Sequence, residues 1–385
     1  MTFQSKSRDS SEDIQAKRLV IKIGSSTLTD ANGKVDAAYI EQLAAQVQEL
    51  CARGCEVIIV SSAAITAGLE ALAMPPKRPE SIPILQAAAA VGQLELLRAY
   101  ARAFEERHIR IGQILLTRFE IENRESYLHA RDTLEKLLEL GVVPLINEND
   151  TVAVDEIRFG DNDTLAAQVA ILLKADLVIL LSDIEGLYTA DPRLDEDAKL
   201  LESIGSFTEE IVSSAGEAGT SRGSGGMVTK LEAARMLMAA AIPLVICEGH
   251  VPHAVLDAAS GKPVGTRFAQ GDGRRQAGAR KLWLALSGSV KGSVLVDAGA
   301  VKALRERGSS LLPVGVGQVE GEFASGQAIN IRTADGFLIG RGIVNYSADE
   351  LRAAAGRKSS DIALDASLHH LANTEVIHRD QLVVF

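Results

Sequence analysis

Arg18–Ser26 reads RLVIKIGSS, an apolar run broken by one lysine and closed by a glycine and two serines. So short an apolar run, ended by turn residues, predicts a strand buried on both faces. Runs of the same kind recur at Glu56–Val60 (EVIIV), Ile109–Leu116 (IRIGQILL), Val142–Ile146 (VVPLI), Leu177–Leu181 (LVILL) and Leu244–Cys247 (LVIC). Between them, Tyr39–Ala52, Leu85–Arg107, Arg124–Leu140, Thr164–Lys174 and Thr229–Ala240 keep the three-to-four-residue apolar spacing of helices, and Arg53-Gly54 supplies a C-terminal stop for the first. The alternation predicts an α/β fold, a mostly parallel sheet sandwiched by helices.

With 385 residues, 46% hydrophobic and 24% charged, the chain has material for two or three domains, which excludes disorder throughout. Met1–Lys17 is polar and mixed in charge, so residues 1–17 are expected to form a flexible tail and not a secretory signal. Three cysteines, Cys51, Cys55 and Cys247, are too few for a disulfide scaffold and lack a second pair for structural zinc; idle thiols in a reducing, cytoplasmic setting are expected. The longest apolar stretches fall well short of a bilayer span, so no membrane segment is expected.

Beyond Ala269 the texture changes. Gln270–Arg280 (QGDGRRQAGAR) is glycine-rich, charged and poor in apolar residues. It is the expected linker, 270–280, between a first domain at 18–269 and a second at 281–385. The second reads as a small, mainly-β, barrel-like unit: short segments at Gly292–Asp297, Val314–Glu322, Ala328–Arg332 and Gly336–Val344, with helices at Gly299–Arg307 and Ala348–Ala355. The net charge of −11 lies in the first part, because Gln276–Phe385 carries 12 basic and 11 acidic residues. That near-neutral balance argues against RNA as a partner.

In open α/β sheets, ligands bind beyond the carboxyl ends of the strands. Four such loops are rich in polar groups: Gly24-Ser25-Ser26, Ser61-Ser62-Ala63-Ala64, Asn147-Glu148-Asn149-Asp150, and the nearby Gly160-Asp161-Asn162-Asp163. A lysine inside an apolar strand is costly unless its ammonium meets an anion, so Lys22 is read as aimed at a phosphate; the plainer alternative is an edge lysine reaching solvent. Ser224-Gly225-Gly226-Met227-Val228-Thr229-Lys230 forms a second anion-binding loop, with Lys230 near a helix start. It matches neither the P-loop nor the dinucleotide-binding glycine pattern. Asp150, Asp161 and Asp163 could organise the lysines, receive a substrate ammonium or bind a metal, and Asp163 could equally cap the helix that follows. The two Asn-Asp pairs point to a zwitterion, held by one carboxylate and one amide.

These motifs, together with Asp183–Arg193 (DIEGLYTADPR), resemble in order those of the amino acid kinase family, and most of all its glutamate-phosphorylating branch. Asp183–Arg193 is shared with sister kinases that act on other acceptors. Gly292–Phe385, with Arg307–Pro313 (RGSSLLP) and His378-Arg379-Asp380, resembles the PUA domain appended to bacterial members of that branch. The resemblance implies transfer of the ATP γ-phosphoryl to the side-chain carboxylate of L-glutamate, giving γ-glutamyl phosphate, the first step toward proline. It places Lys22 and Lys230 at the phosphates, with Asp163 orienting them, and Ser62, Asp150 and Asn162 at glutamate. Lys22, Ser182, Asp183, Ser224, Gly225, Gly226, Met227, Val228, Thr229 and Lys230 would meet ATP. Mg²⁺ would be held mainly through the nucleotide phosphates, with no metal site in the protein. The resemblance further implies inhibition by proline, a homo-oligomer, and a reductase for the acyl phosphate as a partner. Ala63 stands where glycine is usual in that family, which adds a methyl group beside the expected glutamate site and disfavours positive φ there.

Overall fold

The computed structural model describes residues 14, 16–30, 32–74, 79–152, 162–192, 194–195, 197–207, 211, 226–269 and 290–385. The expected linker 270–280 lies outside them, as do most of the expected tail and Asp161, Ser224 and Gly225 of the expected site. Of the tail, Ile14 and Ala16 pack against the core, and the Lys17 N–H donates to Asp176 Oδ2 at 2.8 Å.

Six apolar runs form the strands read from the sequence: β1 (Arg18–Ile23), β2 (Glu56–Val60), β3 (Arg110–Leu116), β4 (Val142–Glu148), β5 (Leu177–Ser182) and, after the two-residue β6 (Ser203–Ile204), β7 (Leu244–Glu248). With β8 (Thr266–Phe268) they make an eight-stranded sheet in the order β3-β4-β2-β1-β5-β7-β8-β6. All pairings are parallel except β7 with β8. The chain leaves β1 toward β2 on one side, while β5 adds on the other, so the topological switch falls at the carboxyl ends of β1 and β5.

Strand alternation sorts β1 between two cores. Leu19, Ile21 and Ile23 join one apolar cluster, which includes residues of α2 (Ala37–Ala52) and α4 (Ile82–Glu105). Val20 faces the other, built with α7 (Asp163–Leu173) and α8 (Gly226–Ala239). Lys22 has the parity of Val20 and therefore emerges at the end of the α7/α8 face. The helix α3 (Ala64–Ala71) lies directly on α4, because Gly68 and Gly92 leave no side chain between them. A Cβ at Gly92 would stand 1.8 Å from Ala64 O, and one at Gly68 would stand 1.7 Å from Ala88 O.

The C-terminal unit is a five-stranded sheet, β10 (Val316–Gly321), β9 (Gly292–Val296), β11 (Ala328–Thr333), β12 (Leu338–Ile343) and β13 (Leu382–Val384) in spatial order, antiparallel except for β9 with β11. It has its own core around Val294, Ile329, Ile331, Tyr346 and Leu351. The two units touch along α8. Val383 and Phe385 pack into the first unit's core, Arg341 Nη2 lies 3.4 Å from Glu232 Oε1, and the Arg235 guanidinium sits over both Phe207 (5.0 Å) and Phe337 (5.6 Å).

Candidate active site

At the switch point, Lys22, Asp163 and Lys230 converge. Lys22 Nζ lies 2.6 Å from Asp163 Oδ1, and Lys230 Nζ lies 3.1 Å from Asp163 Oδ2. One carboxylate thus bridges two ammonium groups, one on each oxygen. All three side chains are buried, with Asp163 at 0% exposure. Two ammonium groups thus converge on one buried carboxylate away from bulk water, an arrangement whose positive groups suit an anionic ligand. The sequence left Asp163 with helix capping as an alternative, but its carboxylate goes to the lysines. The cap position of α7 is Asn162, which makes no capping side-chain bond.

Each lysine is placed by its element. Lys22 is set by the alternation of β1 in the centre of the sheet, between β2 and β5. Lys230 lies one turn into α8, with its ammonium donating to Gly226 O at 3.1 Å, while Thr229 Oγ1 donates to Asp163 Oδ2 at 3.2 Å. The glycine turn after β1 is drawn toward β5 by Gly24 N–H to Leu181 O, 3.0 Å. There Ser182 Oγ donates to Asp183 Oδ1 at 3.1 Å, with Ser182 buried and Asp183 exposed. Met227 and Val228 share the first turn of α8 with Gly226.

The Ser62 loop and the Asn-Asp loops meet beside this cluster. Ser61 N–H donates to Ile146 O at 2.8 Å, tying the end of β2 to β4. Asn162 Nδ2 donates to Ser61 O (2.5 Å) and to Asn147 Oδ1 (2.7 Å), so one amide joins three loops. Both of its hydrogens are thereby engaged, leaving Oδ1 as the polar atom it can offer a ligand. So bonded, Asn162 presents an acceptor, as does the half-buried carboxylate of Asp150. Ser62 is buried, and Ala63 adopts the left-handed conformation at φ 73° as the residue entering α3, the strained geometry its alanine side chain disfavours.

Two participants carry no role in the sequence reading. Asn147, quoted there only as part of a motif, orients Asn162. Gln93, on α4, accepts from Asn147 Nδ2 at 2.7 Å. The available signal was a polar side chain in an alanine-rich helix, which by itself specifies no contact.

Among the described residues, no group of three or more His, Cys, Asp or Glu is placed to hold a metal ion. The groups gathered at the cluster are cationic and suited to phosphate oxygens. All three cysteines are free thiols, and burial raises each of them, Cys247 to about 12, which leaves them poor nucleophiles. Among the described residues no helix is long and apolar enough to cross a membrane.

Residues 17–248 match the model of the amino acid kinase family, and residues 292–363 match the PUA domain. The chain is 45% identical over 370 residues to the glutamate 5-kinase of Geobacter sp. (strain M21), covering 96% of this chain and 98% of that one. To the glutamate 5-kinase of Burkholderia vietnamiensis it is 46% identical over 369 residues, with 96% and 98% covered. Among solved structures, UMP kinase from Ureaplasma parvum aligns with 66% of this chain and 99% of its own, at 16% identity and a TM-score of 0.46.

Proposed function

The chain belongs to the amino acid kinase family and, within it, to the glutamate 5-kinases, and we propose that its Lys22–Asp163–Lys230 cluster is where the γ-phosphoryl of ATP passes to the side-chain carboxylate of L-glutamate. The observation that carries this reading is the single carboxylate shared by two buried ammonium groups. Phosphoryl transfer to a carboxylate brings two anions together, and the positioned cations offset that repulsion where the charge develops. One carboxylate oxygen attacks phosphorus in line as the bond to the ADP oxygen breaks; the products are γ-glutamyl phosphate and ADP. No protein base is required, because the acceptor is already ionised at neutral pH. Asp163 holds the lysines at fixed separation and is not a proton acceptor.

Glutamate is then gripped by the opposite wall. Asp150 and the Oδ1 of Asn162 take the α-ammonium, while Ser62 and the N–H groups opening α3 suit the α-carboxylate. Ser182, Asp183 and the 224–230 loop hold the nucleotide, and Mg²⁺ on the phosphates supplies further charge neutralisation when bound. Proline shares the ammonium and carboxylate of glutamate, so it would compete at the same wall as a feedback inhibitor of the pathway it ends. The acyl phosphate hydrolyses readily, which favours a neighbouring reductase as its consumer; a cytoplasmic homo-oligomer drawing on the ATP pool fits this role.

The test is incubation with ATP, Mg²⁺ and a panel of acidic acceptors, with hydroxylamine to trap any acyl phosphate. Hydroxamate from glutamate is expected. Hydroxamate from N-acetylglutamate or aspartate but not from glutamate would overturn the reading.

A further inference from the structure

Asn162 offers its acceptor to the substrate only as long as its amide does not turn over. An amide is nearly symmetric in shape, so hydrogen bonding alone decides which end faces the cleft. Asn147 Oδ1 accepts from Asn162 Nδ2 and from the Glu148 N–H at 2.9 Å, and Asn147 Nδ2 donates to Gln93 Oε1 at 2.7 Å. Turned over, Asn147 would set an NH₂ against two donors and a carbonyl against Gln93 Oε1. The backbone sets this direction, because Ser61 O accepts from Asn162 Nδ2 at 2.5 Å and the Glu148 N–H donates to Asn147 Oδ1, while Gln93 Oε1 anchors the other end of the Asn147 amide.

We propose that Gln93 is a positioning residue which, by anchoring the Asn147 side chain, holds Asn162 in place with its acceptor at the substrate ammonium. It touches no reacting atom. Its own placement is rigid, because the adjacent Gly92 brings the α4 backbone against Ala64 of α3, the helix that follows the Ser62 loop. The proposal rests on glutamate being the acceptor, and it adds a determinant of selectivity for amino acids over plain diacids that lies on α4, outside every motif of the site.

The experiment compares glutamate with glutarate, which lacks the ammonium, in the full-length protein and its variants. Gln93→Met removes the acceptor at similar length. It is expected to raise the glutamate KM about tenfold, the scale of one lost hydrogen bond in the site, with the ATP KM unchanged. The preference for glutamate over glutarate in kcat/KM should fall by about the same factor. Gln93→Glu keeps an acceptor and should stay within about threefold of the parent in both measures. If Gln93→Met does not fold, Gln93→Ala serves the same comparison. An unchanged preference, or equal losses for glutamate and glutarate, would overturn the relay, since either result reduces Gln93 to packing. Failure of the parent protein to phosphorylate glutamate would overturn the proposed reaction and the relay with it, and only that failure appears without any substitution.

Discussion

One helix, α8, handles charge in two ways. On its inner face Lys230 is 6% exposed and meets a fully buried carboxylate that also holds Lys22. On its outer face Glu232 is half in solvent and 3.4 Å from Arg341 of the C-terminal unit, while Arg235 lies between two aromatic rings. The inner charges cannot be solvated if a partner is lost, so each depends strongly on the others. The outer pair is open to water on its Glu232 side, 47% exposed against 9% for Arg341, so solvent cushions it in part, and the arginine over the two rings adds about 1–2 kcal/mol where it is desolvated. The inner face is the one to which we assign the chemistry, and the outer face fastens the two units.

The largest expected effect is at Lys230. Lys230→Met should lower kcat by about two to three orders of magnitude in a folded protein, as loss of a transition-state charge stabiliser does. A near-normal kcat would erase the contrast between the faces. Next comes Asp163→Asn, which leaves two buried ammonium groups without their carboxylate. It should cost about 3 kcal/mol or more in denaturant unfolding as well as activity. Phe337→Ala, on the outer face, is expected to lower stability by about 1–2 kcal/mol while kcat stays within about twofold. A large fall in kcat there would show that the C-terminal unit sets the position of Lys230.

The smallest effect separates the two units by pH. Hydrogen bonds from Ser367 and Arg357 hold the Asp365 carboxyl well below the usual carboxylate range, and the Ser347 N–H and hydroxyl lower Glu350. A depressed carboxyl contributes stability above its unfolded value, near pH 4, and loses it as pH falls through the folded value. Both residues lie in the C-terminal unit, so that unit should soften first below about pH 4, by a small amount because both groups face water. Asp365→Asn should flatten that part of the melting profile.

The same contrast explains what the sequence could say. Lys22 and Lys230 were legible because an ammonium in an apolar strand, or after paired glycines, has few structural reasons to be there. The strands around them were legible as unbroken apolar runs. The two-residue β6 and three-residue β8 carry too little pattern to register, and α3 is hidden because its tight packing on α4 uses alanine and glycine, which give little periodicity. Gln93 and Asn147 are 54 residues apart, and only the crossing of α4 over the strand ends unites them. Arg235, Arg341 and Phe337 carry no role in the sequence reading, since a seam between units depends on a docking that no local pattern encodes.

The central claim is that Lys22 and Lys230 act as one clamp organised by Asp163. It is tested most directly by a double-mutant cycle on kcat for ATP-dependent acyl phosphate formation from glutamate, using Lys22→Met, Lys230→Met and the double variant. Groups that work as a unit lose most of their effect with the first removal. The account predicts a double variant within about tenfold of the slower single variant. Losses that multiply in full would contradict it, because the two lysines would then be acting independently.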